Sequence, residues 1–200
     1  VLYPLATLED MENAQTAVKK MGVRCKTYQA DIRDKVAIQD MFADVKGEWK
    51  RVDILVANAG IATMGNFENL FDDSWKDVID VNLNGTANCI RWALPIMKEQ
   101  KYGRVITVAS QLGRKGSAGA TAYVATKWGM IGLTKSIALE VGEFNITCNC
   151  ICPTSTDTGM LNNEYILNKL SPADPTIEAL NKKMIGGHPI PVGIVSPDTV

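Results

Sequence analysis

Three short apolar runs constrain the fold more than anything else in the chain: VDILVAN at 52–58, RVITVAS at 104–110 and ITCNCIC at 146–152. Each is compact and nearly continuous, the pattern of strands buried on both faces of a parallel sheet. A fourth run, CKTYQADI at 25–32, is weaker and alternates more. Helical patterns fill the intervals. The stretch 7–22 starts at a Thr cap and stops at Gly22, and 34–49 follows Asp31 and Ile32. A long pattern over 74–101 carries Pro95, which should kink it, and 121–144 is the last long one. Strand–helix alternation with right-handed crossovers predicts an α/β chain built on a doubly wound parallel sheet. In such sheets ligands sit at the carboxyl ends of the strands, so the residues that end these runs carry the functional information. They are Asp31-Ile32, ANAG at 57–60, Ser110 and PTSTDT at 153–158. Residues from 159 to about 190, rich in Asn, Pro and Gly, read as a lid-like insertion of short helices and loops.

Composition narrows the class. Two hundred residues with 46% apolar content suffice for a single well-cored domain. A formal net charge of −1 gives no electrostatic case for nucleic acid or an anionic membrane surface as a partner. No apolar run approaches the roughly 18 residues of a membrane span. The start, VLYPLATLED, has neither an initiator Met nor a signal-peptide pattern, so a cytoplasmic protein is expected. Five scattered Cys beside this much aliphatic core fit a reducing compartment. Cys148, Cys150 and Cys152 alternate and would share one face of a strand. A metal set would need a fourth ligand, and the single histidine, His188, lies far off in a Gly/Pro-rich loop; no metal is expected.

The stretch SAGATAYVATK at 117–127 sets Tyr123 and Lys127 one helical turn apart. Such a pair also occurs on any ordinary helix face, where positions four apart are neighbours. The same geometry has a chemical use. A free phenol has a pKa near 10, too high for ready proton exchange at neutral pH, and an ammonium one turn away favours the phenolate. Ser110, at the end of the preceding strand, is placed to hydrogen-bond the same reacting oxygen.

ANAG after a strand, VNLNG in the next helix, a strand-end Ser thirteen residues before a Tyr, and Tyr-x-x-x-Lys occur here in one order. Together they resemble the short-chain dehydrogenase/reductase family, whose fold is Rossmann-like. The resemblance implies hydride transfer between a nicotinamide cofactor and a secondary alcohol or its ketone. It implies a catalytic tetrad of Asn82, Ser110, Tyr123 and Lys127. Tyr123 would exchange the proton, and Ser110 would hold the substrate oxygen. Lys127 would bond the nicotinamide ribose and keep Tyr123 acidic, and Asn82 would anchor a water leading to Lys127. Cofactor contacts carry over to Asp31 and Ile32 beside the adenine and to the Asn58-Ala59-Gly60 turn, where small residues admit the ribose. They continue at Pro153, Thr156 and Thr158, where the family's Pro-Gly is replaced by Pro-Thr. The glycine-rich phosphate turn after a first strand is not in this sequence. The chain is therefore expected to be a fragment, incomplete at both its N- and C-termini.

YPLATLEDMENAQTAVKKMGVRCKTYQADIRD, CPTSTDTGMLNNEYI and HPIPVGIVSPDTV resemble the carveol dehydrogenase and mycofactocin-coupled branch of that family. That implies NAD, a hydrophobic terpenoid-like alcohol, a cofactor reoxidised by an external redox carrier, and a homotetramer. Gln111, Leu112, the 113–120 loop and the 159–190 insertion would wall the substrate pocket. An NADPH-dependent keto-reductase and a non-catalytic nucleotide-binding scaffold remain the alternatives, because the residue that separates NAD from NADP is not in the sequence.

Overall fold

The computed structural model describes residues 7–186 and 193–200. The expectations for Tyr3–Ala6, His188 and Pro189–Pro191 lie outside the described residues. Helix α1 (Leu8–Lys20) starts at a capping box, in which Thr7 and Asp10 satisfy each other's backbone N–H, and ends before Gly22 at φ +77°. Helix α2 (Lys35–Trp49) is capped by Asp34 and precedes strand β1 (Ile54–Ala57). Helix α3 (Asp72–Ile79) runs through a π-helical turn, Asp80–Gly85, into α4 (Thr86–Gln100). Strand β2 (Gly103–Val108), helix α5 (Thr121–Val141), strand β3 (Ile146–Ile151) and two short helices, α6 (Glu164–Leu170) and α7 (Ile177–Gly186), follow.

The three strands form one parallel sheet in the order β1–β2–β3, with Ile54 opposite Arg104 and Gly103 opposite Ile146. That register places Leu55, Ala57, Val105, Thr107, Ile146 and Cys148 on one face. Helices α2, α4 and α5 cover it, with Ile38, Phe42, Ile90, Ala93, Met97 and Val141 packed against Val105 and Ile146. Gly103 is needed at this join, because a Cβ there would fall 2.5 Å from the Met97 sulfur.

The chain is thus an α/β protein with a Rossmann-like parallel sheet in a single domain, as the alternation of patterns predicts. Three local expectations are corrected. First, burial on both faces does not hold, since the second face is open at its edge strands: Ile54 is 60% exposed and Val56 54%. All three covering helices lie on the other side, and α1 buries no residue. Second, 25–32 forms no strand. A strand exists through its ladder, and no neighbouring strand among the described residues offers one. The segment is tied down by side chains instead, with Lys26 donating to Glu48 at 3.2 Å and Gln15 Nε2 to Thr27 Oγ1 at 3.4 Å. Third, the 74–101 pattern is not one uninterrupted α-helix, because the π-turn Asp80–Gly85 separates α3 from α4.

Candidate active site

Because the strands are parallel, the segments after β1, β2 and β3 emerge at one edge of the sheet. The ladder extends into them: Ala109 N donates to Ile151 O and Gln111 N to Pro153 O, both at 2.8 Å. Ser110 lies on this extension in a fully extended conformation, and its Oγ accepts from Leu112 N at 3.1 Å. Gln111, Leu112 and Gly113 then close a tight turn over α5. Gly113 fits only without a side chain, since its Cβ would stand 2.9 Å from the Lys127 carbonyl oxygen.

Helix α5 brings up the other groups. It begins just after Gly119, at φ +75°, whose carbonyl accepts from Gly65 N at 2.8 Å and so joins the loops after β1 and β2. Tyr123 lies in the first turn of the helix, where the Ser110 side chain acts on its hydroxyl in the sense that favours the phenolate. Lys127 is 3% exposed, donates from Nζ to Val108 O at 2.8 Å, and sits 5.3 Å from the centre of the Tyr123 ring.

Electrostatics here reverses one expectation. The spacing predicts that the ammonium lowers the phenol, whereas burial pushes Tyr123 above the ordinary tyrosine value and only the Ser110 bond pulls it back. Burial also lowers Lys127 from 10.5 to about 8, with Cys150 and Cys152 acting in the opposite sense. Both shifts have one cause: desolvation disfavours the charged form of either group. Lys127 spends its contact on the Val108 carbonyl rather than on the phenol oxygen.

Asn82 reaches the same place from the π-turn, a local widening of the helix that is frequent at functional sites. It is fully buried, and its amide is held from two sides. Ile61 N donates to Oδ1 at 2.8 Å, while Nδ2 donates to Ile61 O at 2.9 Å and to Thr126 Oγ1 at 3.2 Å. Gly60 completes the group. A Cβ there would stand 3.2 Å from Asn82 Oδ1 and 3.8 Å from Lys127 Nζ, so the missing side chain leaves a cradle between an amide and a buried ammonium.

Asn82, Ser110, Tyr123, Lys127 and the Asn58–Gly60 turn therefore gather at one end of the sheet. Asp31 and Ile32 form a second group ahead of α2. Arg33 forks onto the Asp31 carboxylate at 2.7–3.0 Å and holds it below the usual carboxylate range. Asn88 Nδ2 donates to Ile32 O at 3.1 Å, and Gly85 makes room for the Ile32 side chain. Pro153 is tied to the segment after β2 through the bond from Gln111 N, Thr156 Oγ1 donates to Thr154 O at 3.2 Å while its backbone bridges to Val195, and Thr158 Oγ1 donates to Thr156 O at 3.5 Å. Sequence reasoning passed over Thr126, the Val108 carbonyl and the π-turn, and only the hydroxyl at 126 had any visible signal. Among the described residues, no group of three or more His, Cys, Asp or Glu is arranged to hold a metal ion.

Known proteins share this sequence and fold. Residues 2–166 match the model of the short chain dehydrogenase family. An uncharacterized NAD-dependent oxidoreductase of Mycobacterium tuberculosis is 33% identical over 201 residues, covering 100% of this chain and 72% of its own. A 3-oxoacyl-[acyl-carrier-protein] reductase of Staphylococcus aureus is 39% identical over 145 residues, covering 72% of this chain and 59% of its own. Among solved structures, carveol dehydrogenase from Mycobacterium avium in complex with NAD superposes with a TM-score of 0.93 at 30% identity, over 97% of this chain and 72% of that one. The chain belongs to the short-chain dehydrogenase family.

Proposed function

We propose that the protein is an NAD-dependent oxidoreductase that interconverts a secondary alcohol and its ketone. The observation that carries this reading is the cluster at the strand ends, where the buried Lys127 ammonium stands 5.3 Å from the centre of the Tyr123 ring and the buried Asn82 amide is bonded to Thr126 of the same helix turn. Nicotinamide, when bound, supplies or accepts the hydride. In this reading Asn58, Ala59 and Gly60 meet the adenosine ribose and Lys127 bonds the nicotinamide ribose, while Asp31 and Ile32 flank the adenine. Pro153, Thr156 and Thr158 meet the nicotinamide end. Tyr123 hands its hydroxyl proton to the ketone oxygen or takes it from the alcohol, and Ser110 fixes that oxygen by a hydrogen bond. A dinucleotide's positive ring near Lys127 and Tyr123 would favour the phenolate that burial alone disfavours.

The substrate we propose is a hydrophobic, carveol-like alcohol, on the strength of the carveol dehydrogenase likeness and the apolar wall near the site. Ile166 and Leu167 on α6 are buried, and the Tyr165 hydroxyl donates to Met64 O, which brings α6 against the loop after β1. Gln111 and Leu112 complete that wall. Reoxidation of firmly held NAD by a mycofactocin-like carrier, assembly as a homotetramer and residence in the cytoplasm belong to the same reading. No helix among the described residues is long and apolar enough to cross a membrane. The Staphylococcus aureus relative supports a second reading, a keto-reductase working with NADPH.

The test uses the whole protein with carveol and NAD, following reduced-nicotinamide absorbance, and with a 3-oxoacyl thioester and NADPH in parallel. Reduction of NAD by carveol that stops at one equivalent per site supports the held-cofactor branch. Consumption of NADPH alone supports the keto-reductase.

A further inference from the structure

We infer that Thr126 is a positioning residue of this site, coupling the amide of Asn82 to the helix turn that carries Tyr123 and Lys127; the inference rests on the catalytic reading above. Thr126 is fully buried inside the Tyr-x-x-x-Lys turn. Its Oγ1 donates to Tyr123 O at 2.7 Å and accepts from Asn82 Nδ2 at 3.2 Å. A hydroxyl has one proton, and here that proton goes to the Tyr123 carbonyl, so the oxygen presents a lone pair to Asn82. Asn82 has no slack either. Its Oδ1 and the other amide hydrogen are committed to the two backbone groups of Ile61, a residue of the loop that follows Gly60.

The hydroxyl therefore closes a chain that runs from the loop after β1, through Asn82 in the π-turn, to the first turn of α5. The Asn82–Thr126 link is buried and the others are partly buried, and in a buried site a missing partner is costly. Gly60 lies at the other end of this chain, its Cβ position 3.2 Å from Asn82 Oδ1. The amide orientation that Thr126 fixes is thus the one that shapes the cradle beside Lys127. A buried Thr that merely back-bonds to its own helix would need only the Tyr123 carbonyl. The second bond, to another element and to a proposed tetrad residue, is what assigns the positioning role.

The test measures kcat and KM for alcohol and NAD on the whole protein bearing Thr126→Val, Thr126→Ser, Asn82→Ala and the Asn82→Ala/Thr126→Val pair. Valine keeps the volume and strands the Asn82 hydrogen, so kcat should fall about tenfold or more while KM for NAD changes little. Serine keeps the hydroxyl and should retain most of kcat. If Thr126 acts through Asn82, the pair should be no slower than Asn82→Ala alone. Thr126→Ala replaces valine if valine lowers the yield of folded protein. Unchanged kcat in the valine variant, equal losses for valine and serine, or additive losses in the pair would overturn the inference. Tyr123→Phe, assayed alongside, separates the two ideas. An inactive wild type, or a Tyr123→Phe variant as fast as wild type, defeats the catalytic reading and this one with it. A silent Thr126→Val beside a dead Tyr123→Phe defeats this one alone.

Discussion

At the scale of the residue, the buried lysine makes the sharpest prediction. Lys127 titrates at about 8 when folded and 10.5 when exposed, so the unfolded chain holds its proton more tightly. Between those values the unfolded state binds more protons, and stability rises with pH across that window. Below pH 8 the folded protein carries the whole burial penalty, on the order of 3 kcal/mol. Denaturant unfolding of wild type and Lys127→Met, without nucleotide, should show the variant's relative advantage shrinking steadily from pH 8 towards pH 10. Parallel stability curves would mean that Lys127 is not desolvated. Gly60 gives a second test. Alanine there would crowd Asn82 and Lys127, and Gly60 is not at a positive φ, so little backbone strain is added. Gly60→Ala should therefore lose about tenfold or more in kcat/KM while its Tm stays within a few degrees of wild type. A normal kcat/KM would show that the cradle is not used. Tyr123 and Lys127 were legible as a pair from their spacing and the chemistry it permits. The sign of the Tyr123 shift was not, because desolvation depends on what packs over the ring and spacing carries no information about that.

At the scale of the element, β2 and α5 are joined by a polar contact inside the core. Thr107 and Thr134 are both buried, with their hydroxyl oxygens 2.8 Å apart. Thr134 already donates its proton to Met130 O, so Thr107 must be the donor between them. This makes the pair asymmetric. Thr134→Val strands a buried donor and should cost about 1–2 kcal/mol more than Thr107→Val, which leaves Thr134 still satisfied. Chemical denaturation of both single variants and the double variant would show it, with the double recovering most of the difference; equal costs would reassign the proton. Element type was legible where periodicity and caps agreed, as for Thr7 and Gly22 around α1. It failed for 25–32, where the alternating pattern was real but a ladder needs a second strand. It failed again at Asp80–Gly85, because a π-turn leaves the apolar period nearly intact.

At the scale of the whole molecule, the sheet has one packed face and one open at its edge strands. Ile54 and Val56 are more than half exposed, and Ile151 is 37% exposed. An apolar sheet face of this kind calls for a cover or invites association. For the 200-residue chain alone, Ile54→Thr with Val56→Thr should lower dye binding and raise solubility without unfolding the protein. Unaltered dye binding would show that the face is already covered in solution. The parallel sheet itself was legible from three apolar runs. Its one-sidedness was not, since a strand's composition records a need for burial on both faces and not what meets that need in a given chain.

The most direct measurement of the central claim is turnover by the whole protein with carveol and NAD, followed through reduced-nicotinamide absorbance, wild type beside Tyr123→Phe. Absorbance that rises with wild type and stays flat with the variant is the predicted result. An equal rise in both, or none with wild type across several secondary alcohols and both dinucleotides, would contradict it.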